Sequence, residues 1–252
     1  TKDQPIAGPP PLEEASGAIE SAESRAARAA ARRAERRQRV EAYVYSMKIG
    51  IVACGAIVRE LIAIAKRQGW DFELTAVPAQ LHNRPEKIAP AVQKQLDEWA
   101  GHFDLILVGY ADCGTGGALD TLLERYPHAV RIAGPHCYEF YGGKIFEEQN
   151  DAYLGTFYLT DFLARHFDGL VWKGLGLDRF PQLRDLYFGN YTHLLYLQQL
   201  PESDQSERAQ KAATKMGLAY VHALTGLEVL EERLVAVVNE FRSKLSEETE
   251  HG

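Results

Sequence analysis

Asp104-Leu-Ile-Leu-Val-Gly-Tyr-Ala-Asp-Cys-Gly-Thr-Gly-Gly117 decides the fold. Its first half is the most apolar run in the chain and reads as a buried strand. Ala118 to Glu124, which follows, reads as a helix. A strand feeding a glycine-rich turn and then a helix places backbone N–H groups and a positive dipole end at the turn. Cys113 sits there, where a thiolate is stabilised. Gly114, Thr115, Gly116 and Gly117 become candidate cofactor-binding positions, since glycine lets a ligand come close to the backbone.

Two further segments have the same shape. Met47-Lys-Ile-Gly-Ile-Val-Ala-Cys54-Gly55 is a strand ending in Cys-Gly, and Val130-Arg-Ile-Ala-Gly-Pro-His-Cys137 is a strand ending in Gly-Pro-His-Cys. The chain has 3 cysteines, and each follows an expected strand. In an open parallel sheet the carboxyl ends of the strands line one rim, where ligands bind. Cys54, Cys113 and Cys137 are therefore expected to share an edge as metal ligands. Their spacing matches no short motif such as C-x-x-C, so the signal is topological.

Outward from these strands the pattern alternates. Helices are expected near 55–68, 86–100, 116–125 and 138–149, and strands at 71–78 and 129–134. That alternation implies an α/β fold, a mainly parallel sheet with helices on both faces and the cysteine loops at its carboxyl edge. Beyond it, Gly155–Thr160, His193–Leu197 and Leu218–His222 read as strands. Asp161–Phe167, part of 178–190, and 205–216 read as helices. A last helix places Leu227, Leu230, Leu234, Val237 and Phe241 on one face.

The ends differ from the middle. Residues 1–46 are expected to form an N-terminal extension, disordered over Thr1–Leu12 and helical after it, with Arg25, Arg28, Arg32, Arg33, Arg36, Arg37 and Arg39 bunched and no apolar stripe. The α/β domain is assigned to 47–245 and an acidic tail to 246–252. The net charge of −7 argues against a general nucleic-acid partner. No apolar run approaches the roughly 20 residues that span a membrane. With few cysteines and no apolar leader, a reducing cytoplasm is the expected setting.

Several polar residues around the rim invite chemistry. Leu81-His-Asn-Arg-Pro-Glu86 lies where the loop after the second strand should be. Arg84 offers a planar fork for a carboxylate or phosphate, and His82 a ligand or acid–base group. The same stretch is also a helix start, with Asn83 as the cap and Pro85 in the first turn. His136 beside Cys137 is a second imidazole candidate, and Asp112 is either a proton donor or a backbone cap. Asp161 and Arg165 are spaced for a helical ion pair. No Gly-Lys-Ser/Thr follows the glycine loop, and the dinucleotide fingerprint is missing.

Cys54-Gly-Ala, Leu81-His-Asn-Arg-Pro-Glu86, Asp112-Cys-Gly-Thr-Gly-Gly117, Gly134-Pro-His-Cys-Tyr-Glu139, Leu159-Thr-Asp-Phe-Leu163 and Gly174-Leu-Gly-Leu-Asp178 together resemble the DUF1638 family, from about Met47 to about Thr225. Ala111 and Phe180 depart from the pattern, where glycine and histidine are expected. The resemblance implies a link to corrinoid-dependent one-carbon metabolism, with a corrinoid protein or methyltransferase as partner. In layout the three cysteines are also similar to proteins that hold an iron–sulfur cluster through three thiolates.

Three thiolates leave an open position on zinc or an open iron on a cubane cluster. A [4Fe–4S] cluster is the expected cofactor, with zinc the alternative. Gly55, Gly114, Gly116 and Gly134 would give it room. His82, Arg84, His136 and Asp112 are the expected catalytic residues around a small polar substrate. A zinc-thiolate methyltransferase and a non-catalytic metal-binding accessory protein are the competing readings.

Overall fold

Lys48–Cys54 (β1) and Leu105–Gly109 (β3) are fully or nearly fully buried strands at the centre of a four-stranded sheet. The computed structural model describes residues 22–143 and 155–251. β1 pairs in parallel with Asp71–Val77 (β2) on one side and with β3 on the other, and β3 pairs with the short strand Ala129–Arg131 (β4). The sheet order is β2-β1-β3-β4. The chain thus winds from β1 to one side, returns, and winds to the other, which makes the β1/β3 boundary a topological switch point. Ligands bind outside the strand ends at such a point.

Val58–Arg67 (α2) follows β1 and buries Leu61, Ile64 and Ala65, which share one face at three- and four-residue spacing. Lys66 and Arg67 in its last turn suit the negative end of the helix dipole. Ile88–Glu98 (α3) buries Ile88, Val92 and Leu96 in the same manner. Gly50 in β1 and Gly109 in β3 mark where these layers press closest. A Cβ on Gly50 would lie 2.9 Å from Phe103 and Trp99, and one on Gly109 would lie 2.7 Å from Leu61. Ala118–Leu123 (α4) closes the connection from β3 to β4.

The expected single sheet is in fact two. Thr156–Thr160 (β5), His193–Gln198 (β6) and Ala219–Leu224 (β7) form a separate parallel sheet, ordered β5-β6-β7. Asp161–Phe167 (α5), Leu183–Phe188 (α6) and Ser206–Met216 (α7) accompany it. A second apolar core gathers Leu159, Phe167, Phe188, Leu194, Tyr196 and Met216. Glu228–His251 (α8) then returns to the first core, where Leu230, Leu234 and Val238 are buried. The backbone of the acidic segment after Ser246 continues this helix to His251.

Two local readings change. The expected Asp161–Arg165 ion pair does not form: the Asp161 carboxylate accepts from the Tyr196 hydroxyl at 2.6 Å and the Leu200 amide at 3.0 Å, while Arg165 donates to Ser203 at 2.7 Å. Burial explains the exchange, because a buried carboxylate needs close donors. Asn83 is no helix cap. Its amide donates to the Leu170 carbonyl at 3.4 Å, and α3 is instead preceded by a 3₁₀ turn at Pro85–Lys87.

The described residues of the amino-terminal unit, which ends at Tyr43, lie in the helix Ala22–Tyr45 (α1). Arg25, Arg28, Arg32, Arg36 and Arg39 are exposed on it, spaced to share one face. The expectations for Thr1–Leu12, for the helix before Ala22 and for the second half of the 138–149 helix fall outside the described residues; helix begins at Glu139. No helix among the described residues is long and apolar enough to cross a membrane.

Candidate metal centre

Past the ends of β3 and β4 the two chains stay tied. The Asp112 amide donates to the Gly134 carbonyl at 2.8 Å and the Cys113 amide to the Pro135 carbonyl at 2.9 Å. These bonds carry the two cysteine loops side by side beyond the last strand pair. Cys113 itself has φ +50°, the one non-glycine residue with positive φ among the described residues. That conformation costs an ordinary residue about 1–2 kcal/mol, so surrounding bonds must hold it.

Asp112 supplies much of that hold. Its carboxylate accepts from the Thr115 hydroxyl at 2.7 Å, the Gly117 amide at 2.8 Å and the Gly116 amide at 3.2 Å. Gly117 first, then Thr115, keep this carboxyl below the ordinary aspartate range. The backbone donors that the glycine-rich loop was expected to offer a cofactor are therefore occupied by Asp112. Gly114, Gly116 and Gly117 all have positive φ, and turn geometry is what requires glycine there. Two of the glycines expected to make room for a bulky guest do not, whereas Gly116 does border open space. A Cβ on Gly55 would meet the Val77 carbonyl at 3.3 Å, and one on Gly134 would meet Phe140 at 3.2 Å.

The loop bonds bring Cys113 Sγ to 3.2 Å from Cys137 Sγ. Hydrogen bonding from Cys137 and the neighbouring His82 pull the Cys113 thiol down to about 5 despite burial. Cys137 is pushed well above the ordinary thiol range, first by its bond to Cys113 and then by burial. The shared bond thus pushes the two thiols in opposite directions.

His82 completes the group from the 3₁₀ turn Ala79–Asn83 that follows β2. Its Nδ1 lies 2.9 Å from the Ala79 carbonyl. A carbonyl only accepts, so Nδ1 carries a proton, which leaves Nε2 as the nitrogen that could ligate a metal once it is deprotonated. His82 is exposed, Cys113 buried and Cys137 half-buried, and their ligand atoms all lie within 4.8 Å of one another. Burial opposes charging this imidazole, but the sulfurs of Cys113 and Cys54 outweigh it and raise its pKa to about 11. A histidine and two cysteines at this separation could hold a metal ion.

Cys54 stands just behind. Its Sγ is 4.0 Å from His82 Nδ1 and accepts from the Ala56 amide at 3.4 Å. The expected trio of sulfurs is thus a pair of sulfurs and an imidazole, with Cys54 outside the tight group. Cys54 is still a ladder residue, paired with Val77, so the strand fixes where its side chain goes.

Tyr110, the first residue past β3, is a member of the site that the sequence pattern did not single out. It is fully buried, its ring stacks on His82 at 6.1 Å, and its hydroxyl, without a hydrogen-bond partner, is within electrostatic reach of Cys54, Cys137 and Cys113. An aromatic closing an apolar run reads as core; only its place at the strand end marked it. The remaining expected residues lie further out. His136 is exposed and stacks on Tyr138 at 4.9 Å, which stacks on Tyr158 of β5 at 4.8 Å. Arg84 is exposed between the two 3₁₀ turns.

A family model described as "Protein of unknown function (DUF1638)" matches residues 76–234. That span contains His82, Tyr110, Cys113 and Cys137 and leaves Cys54 before it. No curated protein matches the chain, and no solved structure does.

Proposed function

The chain belongs to the DUF1638 family, and from that premise we propose that it is a metal-dependent protein in which His82, Cys113 and Cys137 hold one zinc-like ion. The observation that carries this reading is the 3.2 Å approach of two sulfurs beside an imidazole whose other nitrogen is already spent on a carbonyl. Two thiolates sharing a tetrahedral zinc at about 2.3 Å would sit about 3.8 Å apart, a small relaxation from this spacing. Three protein ligands leave a fourth position for a small polar substrate.

Two thiolates cancel the charge of a divalent ion. A substrate thiol brought to such a site gives up its proton yet keeps an electron-rich sulfur, which suits methyl transfer to that sulfur better than activation of water. The methyl group passes to the sulfur while its bonding electron pair stays with the donor. A corrinoid protein is the donor that the family resemblance implies. His136 and Arg84 are exposed near the rim and available to position an anionic end of the substrate.

A [4Fe–4S] cluster is the second reading, supported by three cysteines following three strands of one sheet. It would recruit Cys54 in place of His82 and spread the sulfurs over separate iron corners, so the close sulfur pair favours the single ion. Anaerobic purification followed by zinc and iron analysis tests the choice. The expected result is one zinc per chain, lost when His82, Cys113 and Cys137 are replaced together. Iron with labile sulfide would select the cluster, and metal in neither protein would reject both readings.

A further inference from the structure

We infer that the Tyr110 hydroxyl is a reserved hydrogen-bond donor for a small anion, a thiolate or its equivalent, carried at the open position of the His82–Cys113–Cys137 site. The inference rests on the metal reading above and adds the residue that recognises the ligand.

A hydroxyl enclosed by protein normally finds a partner, because leaving it unmade forfeits its hydration with nothing in return. Tyr110 is fully buried and its Oη has no hydrogen-bond partner. A phenylalanine would fill the same space without that loss. The sulfurs of Cys54, Cys137 and Cys113 all act on this hydroxyl electrostatically, Cys54 foremost, yet none is placed to accept from it. The ring is stacked on His82, with 18° between the ring planes, so the same packing that orients the imidazole fixes the direction of the phenol.

The chemistry of the surroundings selects the ligand. The groups beside the phenol are already committed: Cys54 accepts from Ala56, Cys113 is bonded with Cys137, and His82 Nδ1 donates to Ala79. The group missing from the site is one strong acceptor within reach of a phenolic donor. An anion at the open coordination position supplies it, and a phenol donating to an anion makes a short, charge-assisted bond.

The test loads wild-type protein and Tyr110→Phe with cobalt(II) and titrates each with azide and with 2-mercaptoethanol, following the visible and charge-transfer bands. The expected result is equal cobalt stoichiometry, with both probes bound at least about tenfold more weakly by the variant, the worth of one hydrogen bond to a charged group. The metal-free variant should also melt at a higher temperature than metal-free wild type, because an unsatisfied buried hydroxyl has been removed; a merely structural tyrosine would give the opposite shift. Equal probe affinities at equal cobalt content overturn the inference and leave the metal reading standing. Lower cobalt content or a lower melting temperature in the variant makes Tyr110 a packing residue and also overturns it. Cobalt uptake by neither protein overturns both.

Discussion

The Cys113 amide donates to the Pro135 carbonyl across 2.9 Å, two residues short of Cys137 along the second loop. This bond, with its neighbour from Asp112 to Gly134, converts the parallel pairing of β3 and β4 into the pairing of two thiols. Loops anchored to the carboxyl ends of adjacent strands keep the strand spacing of about 4.8 Å at their base. Side chains leaning toward each other from such loops then meet.

Replacing the ligands one at a time should grade their importance. His82→Ala, Cys113→Ser and Cys137→Ser are each expected to weaken zinc binding by about a hundredfold or more, whereas Cys54→Ser should weaken it by less than about tenfold. Competition with a chromophoric chelator measures this. Equal losses for Cys54→Ser and Cys113→Ser would place Cys54 among the ligands.

Asp112 holds the loop in which Cys113 takes its left-handed conformation. Asp112→Ala removes the acceptor for one hydroxyl and two amides, and is expected to lower the stability of the metal-free protein by about 1–3 kcal/mol. Zinc affinity should fall with it, since the loop must then be ordered at the expense of binding. Urea unfolding with and without zinc checks both, and an unchanged midpoint would show that the loop holds its shape without the carboxylate.

Gly109→Ala tests how closely the second helix presses on the strand that delivers Cys113. The new methyl would lie 2.7 Å from Leu61, so overpacking should cost about 1–3 kcal/mol. Leu61→Ala should then be less damaging in the Gly109→Ala background than alone, because one change makes room for the other. Additive losses would deny the contact.

Glu60 is nearly fully buried on α2, and burial first, then Asp161 nearby, raise its carboxyl to about 7; its own amide, Arg59 and Arg165 act the other way. The folded state therefore keeps a proton that the unfolded chain releases near pH 4.5. The Glu60 contribution to stability falls as pH rises from about 4.5 to about 7, by an upper limit on the order of 3 kcal/mol, while Cys113, pulled down to about 5, contributes with the opposite sign above that pH. Asp161 is raised by burial and adds in the same direction as Glu60. Glu60→Gln should remove the Glu60 part of the slope in metal-free protein, so that between about pH 4.5 and 7 the variant loses less stability than wild type as pH rises. A variant with the full wild-type slope would assign it elsewhere.

The alternation of strands and helices was legible from residue 47 to 131 because buried parallel strands are continuous apolar runs, and β1 and β3 are of that kind. The rim placement of Cys113 and Cys137 followed from topology alone. Which ligand stands third did not. Cys54 and His82 both follow strands, but Cys54 is the last ladder residue and His82 lies in a 3₁₀ turn free to fold inward. Spacing carries no record of that difference. The division into two sheets was hidden for a related reason: strand segments look alike whichever neighbours they bond.

Tyr110 and the glycines show the same limit. A tyrosine after Leu-Val-Gly has the pattern of core, and the missing partner of its hydroxyl exists only in three dimensions. Glycines beside the cysteines suggested room for a guest, yet positive φ and close backbone contact account for them.

X-ray absorption at the metal edge of anaerobically purified protein tests the central claim most directly. The account predicts one ion with two sulfurs at about 2.3 Å and at least one nitrogen at about 2.0–2.1 Å, the nitrogen disappearing from the shell in His82→Ala. A first shell of sulfur alone with iron–iron scattering, or one built only of oxygen, would contradict it.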